Sequence, residues 1–176
     1  QLYRHDRMDY LKGLHQRAIE QGFFIGMKLV RGAYMEIERE RAAKMGYPDP
    51  ICATKAETDA NYNAVLKYMF ENLDRMSVYN GTHNEESSFL FKEMIDHAGL
   101  AKNDKRVWFG QLFGMSDNIT FNLGALGYNV TKYLPFGPVR DVMPYLIRRA
   151  DENTSVGDQT NRELELLRKE RERRKL

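Results

Sequence analysis

Two arginines stand side by side in the run PYLIRRADENTS, where Arg148 and Arg149 are flanked by Tyr145 and Glu152. Val139, Val142, Met143, Leu146, Ile147 and Ala150 recur around them at the spacing of an amphipathic helix. Counting about 100° per residue from Val139 puts Arg148, Glu152, Tyr145 and Arg149 at about 180°, 220°, 240° and 280°. All four share one arc, opposite or beside an apolar stripe expected to face a core. Two guanidiniums on one arc can grip a carboxylate or phosphate at two points. Glu152, four residues after Arg148, can hold one of them in place. A solvated charged face is the competing reading of the same spacing.

Three further clusters carry chemistry. Lys28 and Arg31 interrupt the apolar run FFIGMKLVRGAY, and a basic group there needs a partner. That partner is either a ligand anion or a salt bridge to a neighbouring strand. Thr82, His83 and Asn84 close a second apolar run, where the histidine is either functional or satisfied by backbone. ATKAETDANYN holds Thr54, Lys55, Thr58 and Asp59, with Thr58 or Asp59 expected to cap a helix. The remaining histidines, His5, His15 and His97, have no HExxH pattern and no cysteine partner, so no metal site is expected.

The elements that position these residues alternate. A 3.6-residue pattern over 7–22 predicts a helix, and FFIGMKLVRGAY reads as a buried strand entering a loop at Gly32. Helices are expected over 58–75 and 85–98, and strands in MSVYNGTHN, over 107–113 and over 130–137. SDNITFNLGALG opens with a capping signal before a short helix, and Pro138 suits the first turn of the helix with the arginine pair. This β, α, β, α order argues for parallel strands with crossover helices. No G-x-G-x-x-G or P-loop follows any strand, which counts against a doubly wound dinucleotide fold. Polar and glycine residues instead gather where each strand ends, the face on which a (β/α)₈ barrel does its chemistry. A whole barrel takes about 250 residues, so four strands imply half of one.

Composition sets the outer bounds. The chain has 176 residues, 42% hydrophobic and 30% charged, which describes a globular domain with a sizeable core. A formal net charge of +2 is too small and too mixed to imply nucleic-acid binding, and the single Cys52 cannot form an internal disulfide. No run approaches the roughly 20 apolar residues of a membrane span, and no signal peptide is visible. From Arg162 to Leu176, seven of fifteen residues are basic and four acidic. Acidic residues interrupt the basic runs, so this tail reads as a solvated helix or frayed end.

KLVRGAY, TKAETDANYN, THN and YLPFGPVRDVMPYLIRRADEN occur in order at successive strand ends. Together they resemble the proline dehydrogenase family, over the chain up to about Ser155. The resemblance implies a distorted (β/α)₈ barrel with FAD at the carboxyl ends of its strands. It implies that Arg148 and Arg149 ion-pair with the carboxylate of L-proline, that Glu152 holds an arginine, and that Tyr133 and Tyr145 close the pocket. Leu112 would form part of its wall. Lys28, Val30, Arg31, Gly32, Ala33 and Tyr34 would face the flavin, as would Thr54, Lys55, Thr82, His83 and Asn84. Gln1 matches a flavin-contacting glutamine that ends the fourth strand. In some members the two basic residues of KLVRGAY are exchanged, so which of Lys28 and Arg31 lies nearest flavin N5 stays open. The family's pocket lysine and aspartate would lie upstream, and nothing here replaces them.

The expectation is therefore a partial barrel, strands five to eight with their helices, in residues 1–155, followed by a charged tail in 156–176. The complete enzyme would oxidise L-proline to Δ1-pyrroline-5-carboxylate and pass electrons to a quinone, placing it at a membrane surface in the cytoplasm or mitochondrial matrix. The chain ends soon after the last barrel helix, which suggests a monofunctional enzyme. Alone it would be inactive and prone to self-association through open edges. Two alternatives remain: an aldolase-type barrel with Lys28 as Schiff-base nucleophile, and a non-catalytic barrel fragment.

Overall fold

A computed structural model describes residues 1–155 and 157–175, with side chains described for 1–150 and 164–175. The chain divides into two compact units, Gln1–Tyr133 and Leu134–Leu176.

In the first unit, α1 (Arg7–Gln21), β1 (Ile25–Leu29), α2 (Met35–Met45), α3 (Lys55–Glu71), β2 (Met76–Gly81), α4 (Glu85–His97), β3 (Val107–Leu112), α5 (Asp117–Ala125) and β4 (Val130–Tyr133) follow one another. The strands form one parallel sheet in the order β1-β2-β3-β4. Each new strand joins on the same side, without the reversal of order that marks a doubly wound sheet.

The two faces of the sheet differ. Ile25, Leu29, Met76, Val78, Val107 and Phe109 lie in the core with Leu66 and Met69 of α3, Phe91 and Ile95 of α4, and Ile119 and Leu123 of α5. Phe70, Phe91, Phe109 and Tyr128 run through this layer with ring centroids 6.0, 4.9 and 5.7 Å apart, separations at which aromatic pairs contribute beyond area burial. The opposite face presents Lys28, Tyr79 and Trp108 in one register row, outside that core.

Several boundaries differ from expectation. The first strand ends at Leu29 rather than running to Gly32, and β4 ends at Tyr133 rather than 137. Pro135 has no N–H for a ladder, and Phe136 is 98% exposed. α3 begins at Lys55, and its N-cap is Thr54, not Thr58 or Asp59. The Thr54 hydroxyl accepts from Glu57 N while Glu57 accepts from Ala53 N, a reciprocal arrangement close to a capping box. Ser116 does precede α5, but in the left-handed region at φ 52° and with no side-chain cap bond. α2 was not anticipated: it is highly charged and buries only Ala42.

The second unit holds α6 (Val139–Ser155) and α7 (Gly157–Arg174). Pro138 sits just before α6 rather than inside its first turn, and its carbonyl accepts from Asp141 N and Val142 N. The stripe expected to face a core is exposed apart from the half-buried Val142, with Val139 at 74% and Ile147 at 52%. Tyr145 and Arg149, from the polar arc, are half-buried as well. Apolar periodicity selects a face but supplies no cover for it, and within this unit the cover on offer is the single charged helix α7.

Candidate functional site

Arg31 leaves the end of β1 and is fixed from three directions. Its Nε donates to Asp59 Oδ1 of α3 at 2.7 Å, Nη1 to Thr82 Oγ1 after β2 at 2.9 Å, and Nη2 to Ser87 Oγ of α4 at 2.8 Å. Its guanidinium also lies 3.9 Å from the centroid of the buried Tyr62 ring. The partner is thus an ion pair, but with a helix rather than with a neighbouring strand. Asp59 holds a second cation through its other oxygen, Lys55 Nζ at 2.7 Å. Burial alone would raise the Asp59 carboxyl, yet the hydrogen bonds from Lys55 and Arg31 outweigh it and hold the group below its ordinary value.

From Thr82 the network crosses the sheet. The Thr82 hydroxyl also accepts from Asn84 N, and its carbonyl accepts from Gln111 Nε2 at 3.2 Å. Gln111 Oε1 in turn accepts from Thr120 of α5 at 2.8 Å. These buried polar groups are joined in a chain, the arrangement that rigidifies rather than destabilises. Asn84 uses its side chain to cap α4 by accepting from Ser87 N at 2.8 Å. His83 Nδ1 lies 3.0 Å from Ser116 Oγ, so this histidine is engaged by a side chain.

Lys28 occupies different ground. It projects from the face away from the core, with Nζ 5.2 Å from the Tyr79 ring and 5.5 Å from Tyr133. Among the described residues it forms no ion pair, and desolvation pushes its ammonium pKa down. A Cβ at Gly81 would lie 2.8 Å from Lys28 Cε, and one at Gly110 would lie 2.0 Å from the Tyr79 hydroxyl. Both glycines therefore clear the space that these side chains cross. Leu112 and Tyr133 are register partners on this same face.

The loop after β1 holds the remaining expected positions. Val30 accepts from Leu2 N at 2.7 Å, so the chain around Gln1 runs beside the end of β1. Gly32 has φ 72°, and a Cβ there would lie 1.7 Å from Gln1 Oε1. Only glycine meets both conditions. Ala33 and Tyr34 are exposed, and the Tyr34 carbonyl accepts from Glu38 N as α2 begins. The structure thus brings Gln1 to Gly32, Thr54 and Lys55 to Arg31 through Asp59, and Lys28 to Tyr133. Asp59, Ser87, Tyr62, Tyr79 and Gln111 were not read from the sequence as site residues. Asp59 had a visible signal, since it stands four residues after Lys55 on a helix.

In the second unit the Arg149 guanidinium lies 5.3 Å from the Tyr145 ring centroid. Arg149 is half-buried and Arg148 exposed. The side chain of Glu152 lies outside the described residues.

A parallel α/β sheet wound in one direction, with polar groups collected at its strand ends, is the arrangement of α/β domains that place ligands at the carboxyl rim. The chain belongs to the proline dehydrogenase family, whose family model matches residues 1–162. It is 45% identical over 170 residues to human mitochondrial proline dehydrogenase 1, covering 95% of this chain and 28% of that protein. It is 40% identical over 178 residues to hydroxyproline dehydrogenase of Xenopus laevis, covering 99% of this chain and 38% of that protein. The crystal structure of proline utilization A from Bdellovibrio bacteriovorus superposes with a TM-score of 0.79 at 32% identity, over 88% of this chain and 16% of that one. The chain therefore spans well under half the length of the curated relatives named here.

Proposed function

We propose that this chain supplies strands five to eight of a (β/α)₈ proline dehydrogenase barrel, with residues 1–155 forming that half and 156–176 a charged tail. The complete enzyme oxidises L-proline to Δ1-pyrroline-5-carboxylate with FAD and passes electrons to a quinone. The observation that carries this reading is the one-way winding of the parallel sheet, with its polar cluster at the carboxyl rim, in a chain of this family.

The residues present fit FAD by the chemistry of their donors. A pyrophosphate needs cations and N–H groups, and the rim offers Lys55, 83% exposed, and Lys28 on the open face. When bound, the flavin supplies a hydride acceptor, chemistry for which no side chain here can substitute. Lys28, Val30, Gly32, Ala33 and Tyr34 line its side of the pocket, with Gln1, Thr54, Thr82, His83 and Asn84 beyond, while Arg31 orders the rim. Arg148 and Arg149 hold the proline carboxylate, Glu152 orients one of them, and Tyr133, Tyr145 and Leu112 exclude water from the ring. Such positioning carries much of the rate. The pocket lysine and aspartate come from upstream, so the isolated chain binds FAD weakly and does not turn over.

The human relative named above is a mitochondrial proline dehydrogenase. Among the described residues no helix is long and apolar enough to cross a membrane. We place the enzyme peripherally at a membrane, on the matrix or cytoplasmic side.

The test is steady-state proline oxidation by the full-length enzyme with a dye acceptor. Arg148→Met or Arg149→Met raises KM for proline about ten- to a hundredfold, because a charge-assisted pair contributes about 1.5–3 kcal/mol. Lysine rescues poorly, lacking the planar two-point grip. Binding of the neutral proline amide stays unchanged. Unaltered KM in variants with full flavin content refutes the clamp. An aldolase reading draws on the lowered Lys28 pKa, and borohydride trapping of a lysine adduct with a keto substrate would establish it.

A further inference from the structure

One carboxylate at the rim serves two cations. Asp59 Oδ1 accepts from Arg31 Nε and Oδ2 from Lys55 Nζ, each at 2.7 Å. The two cations are held to very different degrees. Arg31 is 21% exposed, pinned by the three hydrogen bonds it donates to α3, α4 and the loop after β2, and stacked on Tyr62. Of the five N–H donors of a guanidinium, three are committed to the protein. Lys55 is 83% exposed, and among the described residues Asp59 is its single ion-pair partner. Asp59 is therefore the tie between a fixed cation and a free-standing one.

We propose that Asp59 is a positioning residue of the cofactor rim, fixing Lys55 against the Arg31 anchor and setting the charge that the rim presents to FAD. The proposal rests on the flavin reading given above. With Asp59 ionised the three groups together carry one positive charge. Replacing it by asparagine leaves two adjacent cations and releases Lys55 to water, where a compact, strongly hydrated ammonium on a four-carbon stem has no fixed place. Orientation is lost while charge is gained, and these two consequences are separable by measurement. Affinity for FAD reports the first. The midpoint potential of the flavin reports the second, because added positive charge favours the reduced, more negative form.

The experiment uses the full-length enzyme, its apo form titrated with FAD and its holo form titrated electrochemically. Asp59→Asn weakens FAD binding on the order of tenfold, the scale of one charged hydrogen bond, and moves the flavin potential to more positive values. Asp59→Glu restores most of both. Lys55→Met weakens FAD to a similar degree without lowering the melting temperature of the apo form, since Lys55 is a surface residue. Adding Asp59→Asn to Lys55→Met then costs little more affinity, because the tie is already cut. A merely structural aspartate would lower the melting temperature and leave the potential of the bound flavin in place, and that result overturns the proposal. So does an unchanged FAD affinity in Lys55→Met, which stands as the test even if Asp59→Asn fails to fold. Either failure occurs in an enzyme whose wild type holds flavin. A wild type that binds no FAD overturns the flavin reading itself and the proposal with it.

Discussion

Gly110 offers a direct test of how the open face of the sheet is packed. It lies in β3 beside Tyr79 of β2, and the Cβ of an alanine there would be 2.0 Å from the Tyr79 hydroxyl and 2.2 Å from its Cζ. No side chain tolerates such contacts, so Gly110→Ala must displace Tyr79. That displacement breaks the Tyr79–Thr131 hydrogen bond and removes the ring from Lys28. Replacing a strand glycine by alanine gains roughly 0.5–1 kcal/mol in backbone entropy. Overpacking costs about 1–3 kcal/mol, and the lost hydrogen bond about 1 kcal/mol more. The net expectation is destabilisation by about 1–3 kcal/mol.

The assay is urea unfolding of the full-length protein, with Gly110→Ala placed in Tyr79, Tyr79→Phe and Tyr79→Ala backgrounds. Phenylalanine removes the hydroxyl but keeps Cζ at 2.2 Å, so the penalty persists. Alanine at 79 removes the obstacle, and Gly110→Ala then becomes neutral or mildly stabilising. A Gly110→Ala protein as stable as wild type refutes this packing, as does a penalty that survives in the Tyr79→Ala background.

Two other expectations are open to simple measurement. The two hydrogen bonds from the Arg106 guanidinium hold Asp104 at about 2 against an ordinary 3.8. Its folded pKa is the lower one, so its contribution is present in full above 3.8 and is lost as the pH falls through about 2. Asp104→Asn should flatten that part of an acid-unfolding curve, and an unchanged curve contradicts the assignment. The isolated chain should also run as a dimer or larger species in light scattering, through the stretch of the β1 edge that lies before the Leu2–Val30 contact, whereas a monodisperse monomer at high concentration refutes this.

Much of the first unit was legible because its strands are apolar runs bounded by turn residues, and their alternation with helices fixes a parallel sheet. α2 was not. MEIERERAAKM has no apolar stripe, and packing of the single residue Ala42 leaves almost no periodic signal. The start of α3 was misplaced because Thr54 and Thr58 are both capping residue types. The reciprocal bond of Glu57 decides for Thr54, while the Thr58 hydroxyl turns back to the Thr54 carbonyl. The partner of Arg31 was legible in part. MSVYNG, VWFGQL and VTKY contain no acidic residue, so a carboxylate had to come from a helix or loop. That it would be Asp59 required the register of α3 against β1, which no local pattern encodes.

The two edges of the sheet are not equivalent. β1 is an edge strand, yet Leu2 N donates to Val30 O at 2.7 Å and Asn61 Nδ2 donates to Leu2 O and Arg4 O at 2.8 and 3.0 Å. The carboxyl end of β1 thus already has a neighbour, itself anchored by a helix. It is at this end that Gln1 fills the space left open by Gly32. Within the sheet of the first unit β4 pairs with β3 alone. It is only four residues long and carries Lys132, which reaches Asp117 at 2.7 Å. Short length and a charged residue are the devices that blunt an edge. Cover at the carboxyl end of one edge and a short, charged strand at the other protect the register of the unit. Within the described residues the rim is tied together by the Arg31 network, which continues through Thr82 across the sheet to Gln111 and Thr120.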